Sequence, residues 1–205
     1  MKNLTIIGLT PFEKPDVNLI SKLHEAGAFP VLSLGHELVT AQESLSLLDK
    51  ADIPYYGIHI SNTRLKSLTF SDKVQFVILP IQIPANPSWN QSVIYQVNSL
   101  DDAKKAEQLG ATGIIIKGNE AGGLVGYEST FVLFQRVIKE IKSTPVWVQG
   151  GIGLHTAAAA KALGAAGVVL DSQLALFPEN SVPKEIKDLS SKLNGTETKI
   201  IANHR

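Results

Sequence analysis

The stretch "TGIIIKGNEAGGLVGYESTFVLFQRVIKEIKSTPVWVQGG", Thr112 to Gly151, holds one complete structural unit. It opens with branched aliphatics and crosses a loop of small residues. It then enters a segment in which Phe134, Val137, Ile138 and Ile141 fall at three-and-four spacing. A second β-branched run, "PVWVQG", closes it. The two runs have the length and composition of strands, and the segment between them has the period of a helix with one buried face. Strand, helix and strand in that order predict a parallel pair joined by a crossover.

The same alternation extends in both directions. "LTIIGL", "PVLSL", "YYGIHI", "VQFVIL" and "SVIYQV" come before this unit and "AGVVLD" after it, giving eight strand candidates. Between them, Val17, Ile20 and Leu23 share a helix face, as do Leu38, Ala41, Leu45 and Leu48; Ile186, Leu189 and Leu193 repeat the pattern near the end. Two crossovers are degenerate. Residues 61–72 are polar with little periodicity, and "PIQIPANPSWN" carries Pro80, Pro84 and Pro87, which forbid a regular helix. An α/β chain of 205 residues with this pattern predicts a compact (β/α)8 TIM barrel with one or two degenerate crossover helices, since such barrels start at ~200 residues. The rival, an open doubly wound sheet, needs Gly-x-Gly-x-x-Gly after the first strand, where this chain has "GLTPFEKPD". Residues 1–193 are expected to form the barrel. Residues 194–205, "NGTETKIIANHR", lack periodicity and read as a tail or linker stump, as in a domain cut from a longer polypeptide.

Nineteen basic and nineteen acidic residues cancel, so no bulk field recruits nucleic acid or an anionic membrane. The absence of cysteine excludes disulfides, thiolate metal sites and cysteine nucleophiles. No run approaches the ~20 apolar residues of a membrane span, and the start is too short for a signal segment, which predicts a cytoplasmic protein. No His-x-x-x-His spacing or Ser-His-Asp order occurs, so no metal site or hydrolase triad is expected.

Barrel sites lie at the C-terminal ends of the strands, which is where "KGNEAGGLVG" follows the sixth strand and "GGIG" the seventh. Glycines at the first loop let a flat ligand touch backbone, or simply permit a tight turn. Gly150, Gly151 and Gly153 feed an alanine-rich helix, and such a nest presents unpaired N–H groups that suit a phosphate. Lys117 and Glu120 stand at the mouth of strand six. They could act on a developing negative charge, or form a rim ion pair of little worth. His59, in the third strand, is the histidine best placed to act as an acid or base, although a lone histidine is more often packed than catalytic.

"GNEAGGLVG", "PVWVQGGIG" and "ALGAAGVVLDSQL" resemble the nitronate monooxygenase (2-nitropropane dioxygenase) family, from about Val93 to Leu176. That family contains FMN-dependent barrels and flavin-dependent enoyl-acyl-carrier-protein reductases. The motifs are also similar to small barrel domains embedded in modular polyketide and fatty-acid synthases. The resemblance implies an FMN-dependent oxidoreductase with NADH or NADPH as electron donor, acting on an enoyl, nitronate or related acyl substrate, free or carrier-bound. It sets Gly118, Ala121, Gly122 and Gly123 beside the flavin and Gly150, Gly151 and Ser172 around its phosphate, with Gln149 also among the cofactor-binding residues. Two positions depart from the family. Leu124 stands where its catalytic histidine follows the Gly-Gly pair, and Asp171-Ser172 replaces Gly-Thr after strand eight. A carboxylate beside a phosphate is repulsive by ~4 kcal/mol at ~4 Å and a surface-like dielectric. The alternative is a flavin-free barrel serving as a structural or docking module of a larger synthase, and a flavin-free lyase or isomerase using Lys117 and Glu120 on a phosphorylated ligand is a third reading, by fold analogy alone.

Overall fold

The computed structural model describes residues 4–194 and 197–205. Eight parallel strands close into a barrel: β1 (Thr5–Leu9), β2 (Phe29–Ser33), β3 (Tyr56–His59), β4 (Val74–Pro80), β5 (Ser92–Val97), β6 (Gly113–Lys117), β7 (Val146–Gln149) and β8 (Gly167–Leu170), with β8 paired to β1. All eight strand candidates are strands. The helices are α1 (Val17–Glu25), α2 (Leu38–Lys50), α3 (Leu100–Gln108), α4 (Thr130–Glu140), α5 (Leu154–Ala162) and α6 (Lys184–Ser190). The two weak crossovers are degenerate as expected: one holds a single 3₁₀ stretch, Thr63–Ser67, and the proline-rich one holds no helix.

Helix starts follow local chemistry. Asp16, Ser99 and Ser129 accept hydrogen bonds from backbone N–H groups of the first turns of α1, α3 and α4. The faces read from spacing then cover the outside of the barrel, where Ile20, Ala41, Leu45, Leu48, Leu133, Phe134 and Val137 pack against outward-facing strand residues. The exceptions are Leu38, which is exposed at the start of α2, and α6, which buries none of its residues and leaves Ile186 and Leu189 exposed, as is Leu193 just beyond it. Trp89, placed by sequence in the proline-rich loop, packs on Phe70 and donates to the Leu68 carbonyl at 2.9 Å.

Inside the barrel, residues alternate inward with period two and stack in layers. Phe29, Phe76 and Trp147 plug the N-terminal end, and Gly57, Gly113 and Gly167 make room for them. A Cβ would lie 2.6 Å from Phe76 at Gly57 and 2.6 Å from Trp147 at either of the other two. Ile7, Val31, Ile78, Ile94, Ile115 and Val169 fill the middle. Two residues further along their strands, four of these positions give way to Ser33, Gln96, Lys117 and Asp171, and the apolar lumen ends in a polar mouth.

Gly167→Ala is expected to destabilise the fold by roughly 1–3 kcal/mol through overpacking, because its Cβ would also meet the Thr5 carbonyl oxygen at 2.1 Å. Gly122→Ala meets nothing within 4 Å and should stay within about 0.5 kcal/mol of the parent in urea unfolding. Equal effects at the two sites would contradict the layered packing.

Candidate active site at the C-terminal mouth

The last inward residues of five strands and strand ends form one hydrogen-bonded chain across the mouth. Ser33 Oγ lies 3.2 Å from His59 Nδ1, and His59 Nε2 lies 3.2 Å from Gln96 Oε1. Gln96 Nε2 donates to Gln149 Oε1 at 2.8 Å, and Gln149 Nε2 donates to Asp171 Oδ2 at 2.6 Å. The direction of this chain is set at its Asp171 end, because a carboxylate only accepts. Gln149 must therefore turn its amide nitrogen to Asp171 and its oxygen to Gln96. Gln96 in turn presents its oxygen to His59, whose Nε2 carries the proton. Nδ1 of the neutral ring then accepts from the Ser33 hydroxyl. Burial supports this form, since desolvation, helped by the charge of Lys117, pushes the His59 pKa down to about 4.

Lys117 ends β6 and projects into the same mouth. It has no hydrogen-bond or ion-pair partner among the described residues, and desolvation lowers its pKa against the opposing pull of Asp171 and Glu13. Glu13 arrives from the loop after β1, where Phe12 and Glu13 take φ values of 59° and 51°. Left-handed backbone at two consecutive non-glycine residues costs about 1–3 kcal/mol each and persists where surrounding contacts hold it. Ser61 Oγ donates to the Glu13 carboxylate at 2.9 Å, and His36 Nε2 lies 3.1 Å from it.

A cavity of about 240 Å³ opens here, lined by Thr10, Phe12, Glu13, Ser33, His59, Gln96, Lys117, Gly122, Gly123, Gln149, Asp171, Ser172 and Arg205 among others. A deeper recess of about 50 Å³ shares Glu13, His59, Gln96 and Lys117 with it and reaches Leu124. A larger hollow at the opposite end, about 690 Å³, brings only Lys142 and Lys161 as charged residues, so the mouth is where the chemistry gathers.

The loop residues divide. Gly118 is buried against Thr130, where a Cβ would lie 2.0 Å from Oγ1, and Ala121 is buried beside Gly150. Gly122 and Gly123 are exposed at the cavity edge. Gly150 and Gly151 take φ values of 108° and 61°, and the N–H groups of Gly150, Gly151 and Ile152 have no acceptor among the described residues. That leaves an anion nest on the same rim as the β6 loop. Ser172 differs from expectation: its N–H (2.6 Å) and its hydroxyl (3.2 Å) both go to Asp171 Oδ1, so the neighbouring carboxylate occupies the donors that were to meet a phosphate. Glu120 also differs. Its Oε2 accepts from Thr130 N and Oγ1, both at 2.8 Å, so it braces the start of α4 and does not line the cavity. Sequence reading had not singled out Ser33, Gln96, Glu13 or Arg205 as site residues.

Residues 203–205, part of the stretch 194–205 expected as a tail, lie over this rim. Gly123 and Arg205 exchange backbone hydrogen bonds at 2.9 and 3.0 Å, and Val125 N donates to the Asn203 carbonyl at 2.7 Å. The β6 loop offers unpaired backbone groups, and the terminal residues satisfy them. The Arg205 guanidinium reaches the Asn119 carbonyl at 2.9 Å.

Fold and site define a (β/α)8 barrel with its functional groups at the C-terminal mouth. The chain belongs to the nitronate monooxygenase family, whose profile matches residues 60–204. A Rhodococcus jostii (3aS,4S,5R,7aS)-5-hydroxy-7a-methyl-1-oxo-octahydro-1H-indene-4-carboxyl-CoA dehydrogenase is 36% identical over 99 residues, 46% of this chain and 27% of that protein. A Mycobacterium tuberculosis relative is 38% identical over 87 residues, 42% of this chain. The matched stretches thus span about a quarter of these curated relatives, 27% and 23%. Among solved structures, a FabK mutant of Thermotoga maritima superposes with a TM-score of 0.80 at 27% identity, covering 93% of this chain and 68% of that one. A nitroalkane oxidase of Streptomyces ansochromogenes reaches 0.75 at 17% identity, covering 90% and 70%, and shares the fold. No helix among the described residues is long and apolar enough to cross a membrane.

The shifted histidine makes stability depend on pH. Unfolded His59 protonates near pH 6.5 and the folded ring only near 4, so within that window the unfolded chain binds the extra proton. Stability should therefore be full above ~6.5 and fall by ~3 kcal/mol as pH drops through the window. Urea unfolding across it should show this slope, and His59→Gln should flatten it. An unchanged slope in the variant would remove His59 as its source.

Proposed function

We propose that this barrel binds FMN and works as an oxidoreductase on an enoyl, nitronate or related acyl substrate, with NADH or NADPH as electron donor. The observation that carries the reading is the free N–H nest at Gly150, Gly151 and Ile152, on the same rim as the Gly-Asn-Glu-Ala-Gly-Gly loop of a nitronate monooxygenase family member. The nest would hold the phosphate, and backbone from Ala121 to Gly123 would meet the ring. FMN, when bound, supplies the hydride and electron transfer. The protein's own groups orient and donate hydrogen bonds. Lys117 faces charge developing on ring or substrate, while His59, neutral and tied through Nε2 to Gln96, donates a fixed hydrogen bond and is a weak base. Glu120 holds the loop by capping α4. The substrate is a small molecule or an acyl group presented by a carrier, the latter fitting a place within a synthase.

A second reading is favoured by specific observations. The cavity of about 240 Å³ is below the ~300 Å³ floor of ordinary ligand pockets, the terminal residues lie across its edge, and Asp171 holds the Ser172 donors. These fit a flavin-free docking or structural module of a larger synthase.

A visible spectrum and an FMN titration separate the two. The expected result is saturable binding, weakened at least tenfold by Gly151→Val. Asp171→Asn and removal of residues 199–205 should each strengthen it. No binding in the parent or in either relieved variant would overturn the flavin reading in favour of the module.

Nitronate turnover should be feeble in the parent even with FMN bound, because Leu124 cannot move a proton. Leu124→His should raise it by about 10²-fold or more, the usual worth of a placed base. Robust turnover by the parent would show that another group supplies the base.

A further inference from the structure

The geometry points to a covalent role for Lys117: its Nζ forms an imine with the carbonyl of a small, neutral, hydroxylated aldehyde or ketone held in the mouth. This inference does not rest on flavin binding. A protonated lysine carries three donors, and here none has a partner among the described residues, so the site is built poorly for an ammonium ion and well for a free amine. Both nearby carboxylates are committed elsewhere: Asp171 accepts from Gln149 and Ser172, and Glu13 from Ser61. They act on Lys117 through their field without forming an ion pair with it. Desolvation lowers the pKa further toward the neutral amine that attacks a carbonyl.

Access is open. A Cβ at Gly123 would lie 3.4 Å from Nζ, so the missing side chain leaves the amine uncovered on that side. With Lys117 a free amine, Arg205 alone stands against Glu13 and Asp171 in the cavity, which gives no net attraction for an anionic substrate. Hydrogen-bonding groups on Thr10, Ser33, Gln96 and Gln149 suit hydroxyls, and the modest volume limits the substrate to a few carbons.

The chemistry balances without a redox partner. Nζ adds to the carbonyl carbon and loses a proton to Asp171 or Glu13. The former carbonyl oxygen takes up that proton and then the second amine proton, passed on through the same carboxylate, and leaves as water, so that the C–O bond breaks and a neutral C=N bond remains. The imine acidifies the adjacent C–H bond, which admits isomerisation or carbon–carbon cleavage as the class of reaction served.

The test is reductive trapping on the full chain after dialysis to remove any flavin. Dihydroxyacetone and cyanoborohydride are added, the mass of the intact protein is measured, and modified peptides are mapped. One adduct per chain at Lys117, formed at least tenfold faster than on any surface lysine, is the expected result. Pyruvate should label more slowly. Lys117→Arg should abolish the fast adduct; because the parent map already locates it, the proposal stays testable if that variant fails to fold. Labelling at Lys117 no faster than at Lys22, which is solvent-exposed, would overturn the proposal, and faster labelling by pyruvate would overturn its neutral-substrate part.

Discussion

Closing eight parallel strands creates a lumen that has to be filled, and every other feature of this chain answers to that demand. Strand residues point inward at every second position, so each strand contributes two or three side chains to a space of fixed width. Two bulky rings, Phe76 and Trp147, can enter at the N-terminal end only because Gly57, Gly113 and Gly167 give up their side chains. A plugged lower lumen and an aliphatic middle leave one end where polar groups can sit. Buried polar groups there must satisfy each other, because the layers below offer them nothing.

That condition explains the chain from Ser33 to Asp171. Five side chains from different strands or strand ends are buried or half-buried, and a single carboxylate fixes the direction of every hydrogen bond between them. Asp171 is tied in turn by the Ser172 N–H. The charge that would repel a phosphate on an open rim serves here as the anchor of the mouth. Keeping His59 neutral and leaving Lys117 unpaired are two results of one arrangement: the side chains around the ring bond to one another, and the amine is outside the circuit.

The fold was legible because its signals are local and repeated. Eight β-branched runs, helical spacing in between and proline in the weak crossover each have one physical meaning, and their agreement leaves few topologies. Of the candidate site, the position of the backbone part was legible, because the barrel fixes where the glycine loops after β6 and β7 lie. The site was less legible where it is made of side chains drawn from distant strands. Ser33 and Gln96 carry no motif, yet each stands two residues beyond an inward aliphatic, Val31 and Ile94. The change from apolar to polar at the end of a period-two run is the signal that could have found them. Glu120 was read as chemistry because it lies in the motif, but helix α4 needed an acceptor for Thr130, and that need decided where its carboxylate went.

Glu13 and Arg205 could not be reached by pattern at all. Glu13 enters through left-handed backbone that no propensity favours, held by Ser61 and by Gly35, whose own φ of 70° lets that loop pass close to the Glu13 carbonyl. Arg205 arrives because the β6 loop, freed by its glycines from regular structure, keeps backbone donors and acceptors that some extended segment can pair. The same glycines that would open the rim to a ligand thus open it to residues 203–205, and a flavin in the proposed site would compete with those residues for one set of backbone groups.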